Sequence, residues 1–191
     1  VWRPEAGQIE KLKLFQWMQK LGFSDYDRFY RASVENIAWF WDEAVKDMGI
    51  RWFHKYQQVL DISQGIAWPK WFIGGKLNIT DTAVDKWAEN TETASRIAMI
   101  WEGETGEVRS YTYRELSAWV NRVAVNLTII GMRKGDTMGI YMPMIPETVV
   151  SMMAASKIGM IITPIFSGFG AEAVARRLDA AKVKLLLTAD G

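Results

Sequence analysis

The chain has 191 residues, of which 49% are hydrophobic and 24% charged, a composition typical of a globular protein rather than a disordered one. Lysine and arginine number 23 against 22 aspartates and glutamates, and the resulting charge of +1 gives no electrostatic reason to expect nucleic acid or an anionic membrane as a partner. The absence of cysteine excludes disulfides, a thiolate nucleophile and zinc–thiolate sites, and the single histidine, His54, excludes a metal site built on two histidines of this segment.

The sequence predicts neither a leader peptide nor a membrane span. It opens at Val1 without the basic stretch and short apolar core of a signal peptide. The most apolar stretch, 148–166, contains Lys157, Gly159 and Pro164, whereas a membrane span needs about 20 mostly apolar residues without such interruptions. We therefore expect a buried helix followed by a buried strand there. The lack of cysteine fits a cytoplasmic location, which is the expected one.

Residues 1–75 are rich in aromatic side chains and are predicted to be mainly helical. One helix is expected over 9–21. A second is expected to be capped by Ser33 and to end at Gly49, because apolar residues recur between them at helical spacing. The rings are predicted to form a core, or to dock this arm onto a larger body, rather than to form a cage for a ligand. A loop is expected over 68–75.

A helix and a β-hairpin are predicted next. The helix covers 82–90, and the two strands cover 96–101 and 108–112. The turn between the strands, 103–106, has a glycine at each end, which is typical of a hairpin connection.

From Thr112 onward, helices and strands alternate. Thr112 and Glu115 have the spacing of a capping box, in which two side chains satisfy free backbone N–H groups at a helix start. Such alternation makes a parallel sheet covered by helices, with the loops after the strands at one edge, where ligands usually bind. Those loops begin near Pro143, Ser167 and Ala189. The helices are expected over 112–131, 146–159 and 171–181, and the strands over 138–142, 161–166 and 184–188.

The predicted fold class is therefore α/β. It comprises a helical, aromatic-rich N-terminal arm and a β-hairpin, followed by helix and strand units that form part of a parallel sheet. Residues 1–95 are expected to be a helical extension and linker, and residues 96–191 the first, incomplete part of the α/β domain.

The best candidate for chemistry is the loop 166–173, after the second strand of the alternating region. Its glycines allow a ligand to approach the backbone closely, and the helix start that follows offers free N–H groups to a phosphate. Gly168, Gly170 and Ala173 also match a dinucleotide-binding fingerprint, with Asp190 near the expected place of the ribose-binding acid. That fingerprint normally lies on the first strand of its domain. Two interpretations stay open, an NAD-binding oxidoreductase or a tight strand-to-helix turn.

Other candidate residues receive structural interpretations. Gly74, Gly75 and Lys76 lack the earlier glycine and the following hydroxyl residue of a phosphate loop. His54 is predicted to be a surface or interface histidine. A basic patch is expected to be a solvated helix face rather than a phosphate site, and it consists of Arg176, Arg177, Lys182 and Lys184.

Five blocks of the sequence match, in order, the motifs of one enzyme family. Residues 70–78 are similar to the motif Trp-Phe-x-Gly-Gly-x-Leu-Asn, and residues 111–116 to the helix start Thr-Tyr-x-Glu-Leu. The other blocks are 135–136 with 141–147, then 166–173, then 188–190. The resemblance as a whole extends over about the entire chain. The chain thus resembles the N-terminal part of AMP-forming short-chain acyl-CoA synthetases, the acetyl- and acetoacetyl-CoA synthetase group of the adenylate-forming superfamily.

The resemblance implies the large domain of the adenylate-forming fold, incomplete here, and an acid–thiol ligase. Such an enzyme makes an acyl-adenylate from a short carboxylic acid and ATP, and then transfers the acyl group to CoA. ATP, CoA and Mg²⁺ are implied, with the catalytic residues and the ATP and Mg²⁺ sites outside this segment. One position carries over: Gly168 matches a glycine that lines the CoA site. Ser167 and Gly170 depart from the pattern, in which a glycine and a serine stand at these places.

The implied partners are a small carboxylic acid, ATP and CoA. The segment by itself is expected to be inactive, and its incomplete sheet to leave an open edge that favours self-association. Besides the oxidoreductase, a non-catalytic binding subunit is the remaining alternative. Exposed apolar surface at the place where the rest of a synthetase would dock would count against such a subunit.

Overall fold

The structure, a computed structural model, describes residues 7–190. The chain divides into two compact units, of which the first ends at Lys76 and the second begins at Leu77. The division into an extension over 1–95 and an α/β part over 96–191 stays a prediction.

Three α-helices follow one another in the first unit. The predicted helix over 9–21 is interrupted, because Leu12 has an extended backbone (φ −69°, ψ 133°) between a 3-10 turn and the first α-helix. The elements are the 3-10 turn Ile9–Lys11, α1 (Lys13–Lys20), α2 (Tyr26–Glu35) and α3 (Ile37–Asp47).

Short polar side chains set the starts of α2 and α3. Asp25 and Asn36 each accept a hydrogen bond from the backbone N–H three residues later, at 2.9 and 3.1 Å. The prediction that Ser33 caps a helix is wrong, because Ser33 lies inside α2 and its hydroxyl donates to the carbonyl of Tyr30. Serine and asparagine are both good capping residues. Here Asn36, which directly precedes the apolar residues of α3, caps that helix.

Aromatic rings form the centre of this helical part. Phe29 is buried, and its ring meets those of Trp17 and Phe23 edge-on, with centroids 5.5 Å apart in each pair. Phe40 of α3 contacts Trp17 at 5.7 Å. Such edge-to-face contacts add to the stabilisation from burial alone. The prediction of an aromatic core is confirmed for this cluster.

Two short strands complete the first unit, β1 (Gln58–Asp61) and β2 (Lys70–Ile73), which pair antiparallel. The prediction of a loop over 68–75 is therefore wrong over β2. Trp71 contacts Trp41 of α3 at 6.2 Å, and Phe72 contacts Tyr56 at 5.0 Å, both measured between ring centroids. These contacts join residues distant in sequence, so a four-residue strand of this kind carries little local signal.

The second unit begins with the predicted helix and hairpin, and both are confirmed. A π-helical turn, Asp81–Asp85, leads into α4 (Lys86–Glu89), and β3 (Ile97–Glu102) pairs antiparallel with β4 (Val108–Thr112). The following helix, α5 (Tyr113–Ile129), opens with the predicted capping box, because Thr112 and Glu115 each bind the other's backbone N–H.

A three-stranded parallel sheet occupies the rest of the second unit. Strand β5 is central, with β6 on one side and β7 on the other. Helix α6 starts at Pro146 and ends at Gly159, which takes the left-handed conformation (φ 79°) that favours glycine. The α/β prediction is confirmed by the elements β5 (Thr137–Tyr141), α6 (Pro146–Ile158), β6 (Ile161–Pro164), α7 (Ala171–Ala180) and β7 (Leu185–Thr188).

The two faces of β5 pack against different helices. Met138 and Ile140 are almost fully buried in a core that includes residues of α5 and α6. Gly139 points to the opposite face, where a Cβ atom would lie 2.9 Å from Leu178 of α7. The stretch 148–166 is thus a packed helix and a strand, as predicted, but the prediction that the strand is buried is wrong, because β6 is an outer strand of the three and Ile161 is 56% exposed. Among residues 7–190 no helix is long and apolar enough to span a bilayer.

Polar contacts fasten the start of the second unit to α6. The Asn78 amide donates to two carbonyls at the end of that helix, at 2.8 and 3.1 Å, and the buried Thr80 hydroxyl donates to a third. Asp85 binds the Lys157 ammonium at 2.7 Å and accepts a hydrogen bond from the Ser117 hydroxyl at 3.0 Å. The asparagine that ends the 70–78 block therefore has a structural role.

Candidate functional site

The carboxyl edge of the parallel sheet holds the loops after β5, β6 and β7. The chain passes from the central strand to β6 and then crosses to β7 on the other side, so the order of the strands reverses beside β5. In open α/β sheets ligands bind outside the carboxyl ends of strands, near such a reversal. This edge is therefore the candidate site, as the sequence predicted.

The loop after β6 is a tight turn built on two phenylalanines. The Phe169 N–H donates to the Phe166 carbonyl at 3.0 Å, and the two rings meet edge-on with centroids 5.7 Å apart. A Cβ atom at Gly168 would lie 2.7 Å from the Phe166 ring, so a larger residue there requires this ring to move. Phe166 itself is 71% exposed.

Tyr141, at the end of β5, contacts this loop, although the sequence analysis assigned it no role. Its hydroxyl lies 3.0 Å from the Ser167 carbonyl and 2.8 Å from the Phe169 carbonyl. Tyr141 falls inside the 141–147 block, and that similarity was the one sign of its importance.

The four cations of the predicted basic patch have different surroundings. The Arg177 guanidinium lies over the Phe169 ring, 4.1 Å from its centroid, and donates to the Ala173 carbonyl. Arg176 pairs with Glu172 on the exposed surface of α7 at 2.6 Å, a contact worth little in water. The interpretation as a solvated helix face is supported for Arg176, whereas Arg177 contacts the candidate loop from α7.

Lys184 lies at the opposite edge of the sheet, before β7, and forms an ion pair with Asp136 before β5. This hydrogen bond, together with one from the Arg133 backbone N–H, holds the pKa of the Asp136 carboxyl below its ordinary value of 3.8. Lys184 is thus part of a structural pair rather than a phosphate site.

The departures at Ser167 and Gly170 cost the loop no strain. Gly170 is the residue before α7 and has φ −70° and ψ 162°, a conformation open to any residue, with open space where a Cβ would be. The contact from Tyr141 uses the Ser167 backbone carbonyl, so it does not depend on which side chain stands there.

The geometry disfavours the dinucleotide interpretation. In that fold the glycine fingerprint follows the first strand of the domain, which here is β5. The loop after β5 contains no glycine between Tyr141 and Pro146, and its Met144 carbonyl accepts a hydrogen bond from the Trp101 indole at 2.7 Å. The glycines lie one strand later. The interpretation as a tight strand-to-helix turn fits this position.

The Gly74-Gly75-Lys76 stretch of the first unit is likewise structural. The Gly75 N–H donates to the Phe72 carbonyl, and the Lys76 N–H donates to the His54 carbonyl, so neither amide is free for a phosphate. A Cβ at Gly75 would lie 2.7 Å from the Trp52 ring. His54 is exposed, as predicted, and its Nδ1 lies 3.0 Å from the Gly74 carbonyl.

Between residues 7 and 190, no group of three or more histidine, aspartate or glutamate side chains is arranged to hold a metal ion.

Comparison with known proteins matches nearly the whole chain to acyl-CoA ligases. The acetyl-coenzyme A synthetase of Methanothrix thermoacetophila is 38% identical over 184 residues, which are 96% of this chain and 27% of that protein. The 3-hydroxypropionyl-coenzyme A synthetase of Sulfurisphaera tokodaii is 36% identical over 93% of this chain and 28% of its own length. The chain therefore spans about a quarter of the length of these relatives.

A solved structure gives the same result. The acetoacetyl-CoA synthetase from Streptomyces lividans superposes with a TM-score of 0.90 at 27% identity, over 100% of this chain and 30% of that one. A family model described as acetyl-coenzyme A synthetase N-terminus matches residues 26–83. A second, described as AMP-binding enzyme, matches residues 84–191, which is more than half of the chain. This match shows that the chain belongs to the AMP-binding enzyme family.

Proposed function

We propose that this chain is the N-terminal part of an AMP-forming acyl-CoA synthetase, which converts a short carboxylic acid, ATP and CoA into acyl-CoA, AMP and pyrophosphate. The observation that carries the proposal is the succession of two family models, the acetyl-coenzyme A synthetase N-terminus and then the AMP-binding enzyme, over residues 26–191. The names of the relatives include acetyl, 3-hydroxypropionyl and acetoacetyl groups, so the substrate class is a short acid.

The proposed chemistry has two steps. A carboxylate oxygen of the acid attacks the α-phosphorus of ATP and pyrophosphate leaves, which gives the acyl-adenylate. The CoA sulfur, having lost its proton, then attacks the acyl carbon, and AMP leaves. Mg²⁺ would offset phosphate charge in the first step. Following the family resemblance, we place the adenylation residues outside this segment and expect the segment alone to be inactive.

Within this scheme the role of the segment is to contact CoA at Gly168. Gly168 is exposed at the carboxyl edge of the sheet and has no side chain to obstruct a ligand. No residue in the described range 7–190 accepts a hydrogen bond from its backbone N–H, so this donor is available to a bound molecule. These two properties support the assignment that the family resemblance implies.

A bulky residue at position 168 tests the assignment. In the complete synthetase that carries this segment, Gly168→Leu is expected to raise the KM for CoA by about 10-fold or more, because the leucine obstructs the approaching CoA and displaces the Phe166 ring, 2.7 Å from the Cβ position. Acid-dependent ATP–pyrophosphate exchange should stay within about 2-fold of wild type, since it does not involve CoA. Gly170→Ser serves as the control, because that site has open space. Equal loss of exchange and of CoA transfer would refute the assignment.

The alternatives give different results with the purified segment. Acid-dependent AMP formation by the segment alone would contradict its proposed dependence on the rest of a synthetase. Saturable NAD binding would favour the oxidoreductase. A stand-alone binding subunit is disfavoured by large apolar side chains on the two outer strands of the sheet, since Ile161 is 56% and Leu186 is 37% exposed.

A further inference from the structure

Tyr141 connects the central strand to the loop that holds Gly168. It lies two residues after Gly139 on β5, so its side chain is on the sheet face that α7 covers. From there the half-buried ring reaches the loop after the neighbouring strand, and the hydroxyl lies within 3.0 Å of two carbonyls, those of Ser167 and Phe169. A phenol has one proton, so the two carbonyls share it.

These contacts hold the backbone on both sides of Gly168. The carbonyl before it and the carbonyl after it both turn toward Tyr141. The peptide group between Gly168 and Phe169 is held separately, because its N–H donates to the Phe166 carbonyl at 3.0 Å. Three successive peptide groups thus each have one atom bound, while the Gly168 N–H has no acceptor among residues 7–190.

The Phe169 side chain is held as well. The Arg177 guanidinium stacks on its ring at 4.1 Å and is itself oriented by a hydrogen bond of 2.9 Å to the Ala173 carbonyl. The loop is therefore held at its backbone by Tyr141 and at one ring by Arg177. Neither contact involves the side chain of residue 167 or 170, the two positions that depart from the family pattern.

We propose that Tyr141 is a positioning residue for the CoA half-reaction: its hydroxyl holds the Gly168 loop in the shape that accepts CoA. This inference rests on the proposed function, in which that loop contacts CoA. Phenylalanine at position 141 would keep the ring and its packing and remove only the hydroxyl. Because the turn lies at the exposed edge of the sheet, water can donate to the two carbonyls in place of the lost hydroxyl, so the loop loosens while the fold persists.

The test uses Tyr141→Phe in the complete synthetase. The KM for CoA is expected to rise by about 3- to 10-fold, which corresponds to one hydrogen bond, while ATP–pyrophosphate exchange stays within about 2-fold of wild type. Arg177→Gln should raise the same KM through the Phe169 ring. The matched control is Tyr113→Phe in the same unit, whose ring contacts Trp87 at 5.8 Å and whose variant should leave both rates unchanged. An unchanged KM for CoA in Tyr141→Phe, or an equal fall in both activities, would overturn the proposal.

Hydrogen exchange measured by mass spectrometry on the same enzymes tests the positioning role of Tyr141 independently of the proposed CoA contact. Tyr141→Phe should speed amide exchange in the peptide that covers 166–170 by about 3- to 10-fold and leave α5 unchanged. Unchanged exchange in 166–170 refutes the positioning role whatever the kinetics show. If Gly168→Leu raises the KM for CoA and Tyr141→Phe does not, the positioning role is wrong and the proposed function stands. If Gly168→Leu leaves that KM unchanged, the proposed CoA contact fails, and this inference fails with it.

Discussion

Replacing Gly139 with alanine is expected to destabilise the second unit by about 1 kcal/mol. The added Cβ would lie 2.9 Å from Leu178, 3.1 Å from Leu186 and 3.3 Å from Val183, against an ordinary contact distance of 3.4–4 Å. The nearest methyl must therefore move by about 0.5 Å, and overpacking of a well-packed core typically costs about 1–3 kcal/mol. Alanine also lowers the conformational entropy of the unfolded chain relative to glycine, and this effect offsets about 0.4–1 kcal/mol of the packing cost.

Urea denaturation followed by far-UV circular dichroism would measure the loss, and hydrogen exchange of the peptide over 137–141 would assign it to β5. Gly170→Ala is the matched control, because a Cβ there meets open space and the backbone conformation suits alanine. We expect that variant to change stability by less than about 0.5 kcal/mol. Equal stability of the two variants would show that α7 packs on the sheet less closely than the structure indicates, and would contradict the predicted steric cost at Gly139.

Two further predictions concern local contacts. Thr112→Ala removes the threonine side chain from the capping box and should destabilise the second unit by about 1 kcal/mol in the same denaturation assay. Thr128→Ala, at an exposed hydroxyl in the same helix, is the control and should cost less than about 0.5 kcal/mol. Similar losses of stability in both variants would contradict the role of Thr112 as a cap. Lys184→Met should raise the pKa of Asp136 toward 3.8 in a carboxyl NMR titration. Because the folded pKa of Asp136 is depressed, its contribution to stability is present above the unfolded pKa and is lost as the pH falls through the folded value, so the variant should lose less stability on acidification. An unchanged pKa would show that Lys184 does not determine it.

Local signals in the sequence sufficed for most elements of the second unit. The capping box at Thr112, the proline at the start of α6 and the left-handed glycine at its end act within one helical turn, so they can be identified without knowledge of the fold. The alternation of helix and strand then led to a parallel sheet. The first unit was predicted less well, because β1 and β2 depend on ring contacts between residues that are distant in sequence.

The candidate site was predicted in part. The loop with Gly168 was found from its glycines and from its similarity to the family motif, and its position at the carboxyl edge of the sheet agrees with the prediction. Tyr141 and the separate role of Arg177 were missed. Tyr141 contacts carbonyls that lie 26 and 28 residues later along the chain, and Arg177 reaches the Phe169 ring of the loop from α7.

Local patterns in the sequence were enough to predict the helices and strands of the alternating region, and its motifs were enough to indicate the enzyme family. Such features depend on residues within a turn or two of one another, where backbone hydrogen bonding and capping are decided. The tertiary structure alone decided that β5 lies between β6 and β7, that α7 covers the face with Gly139, and that a tyrosine hydroxyl holds the Gly168 loop. Strand order and side-chain contacts across a sheet are set by which apolar faces bury one another, and this depends on the whole unit at once.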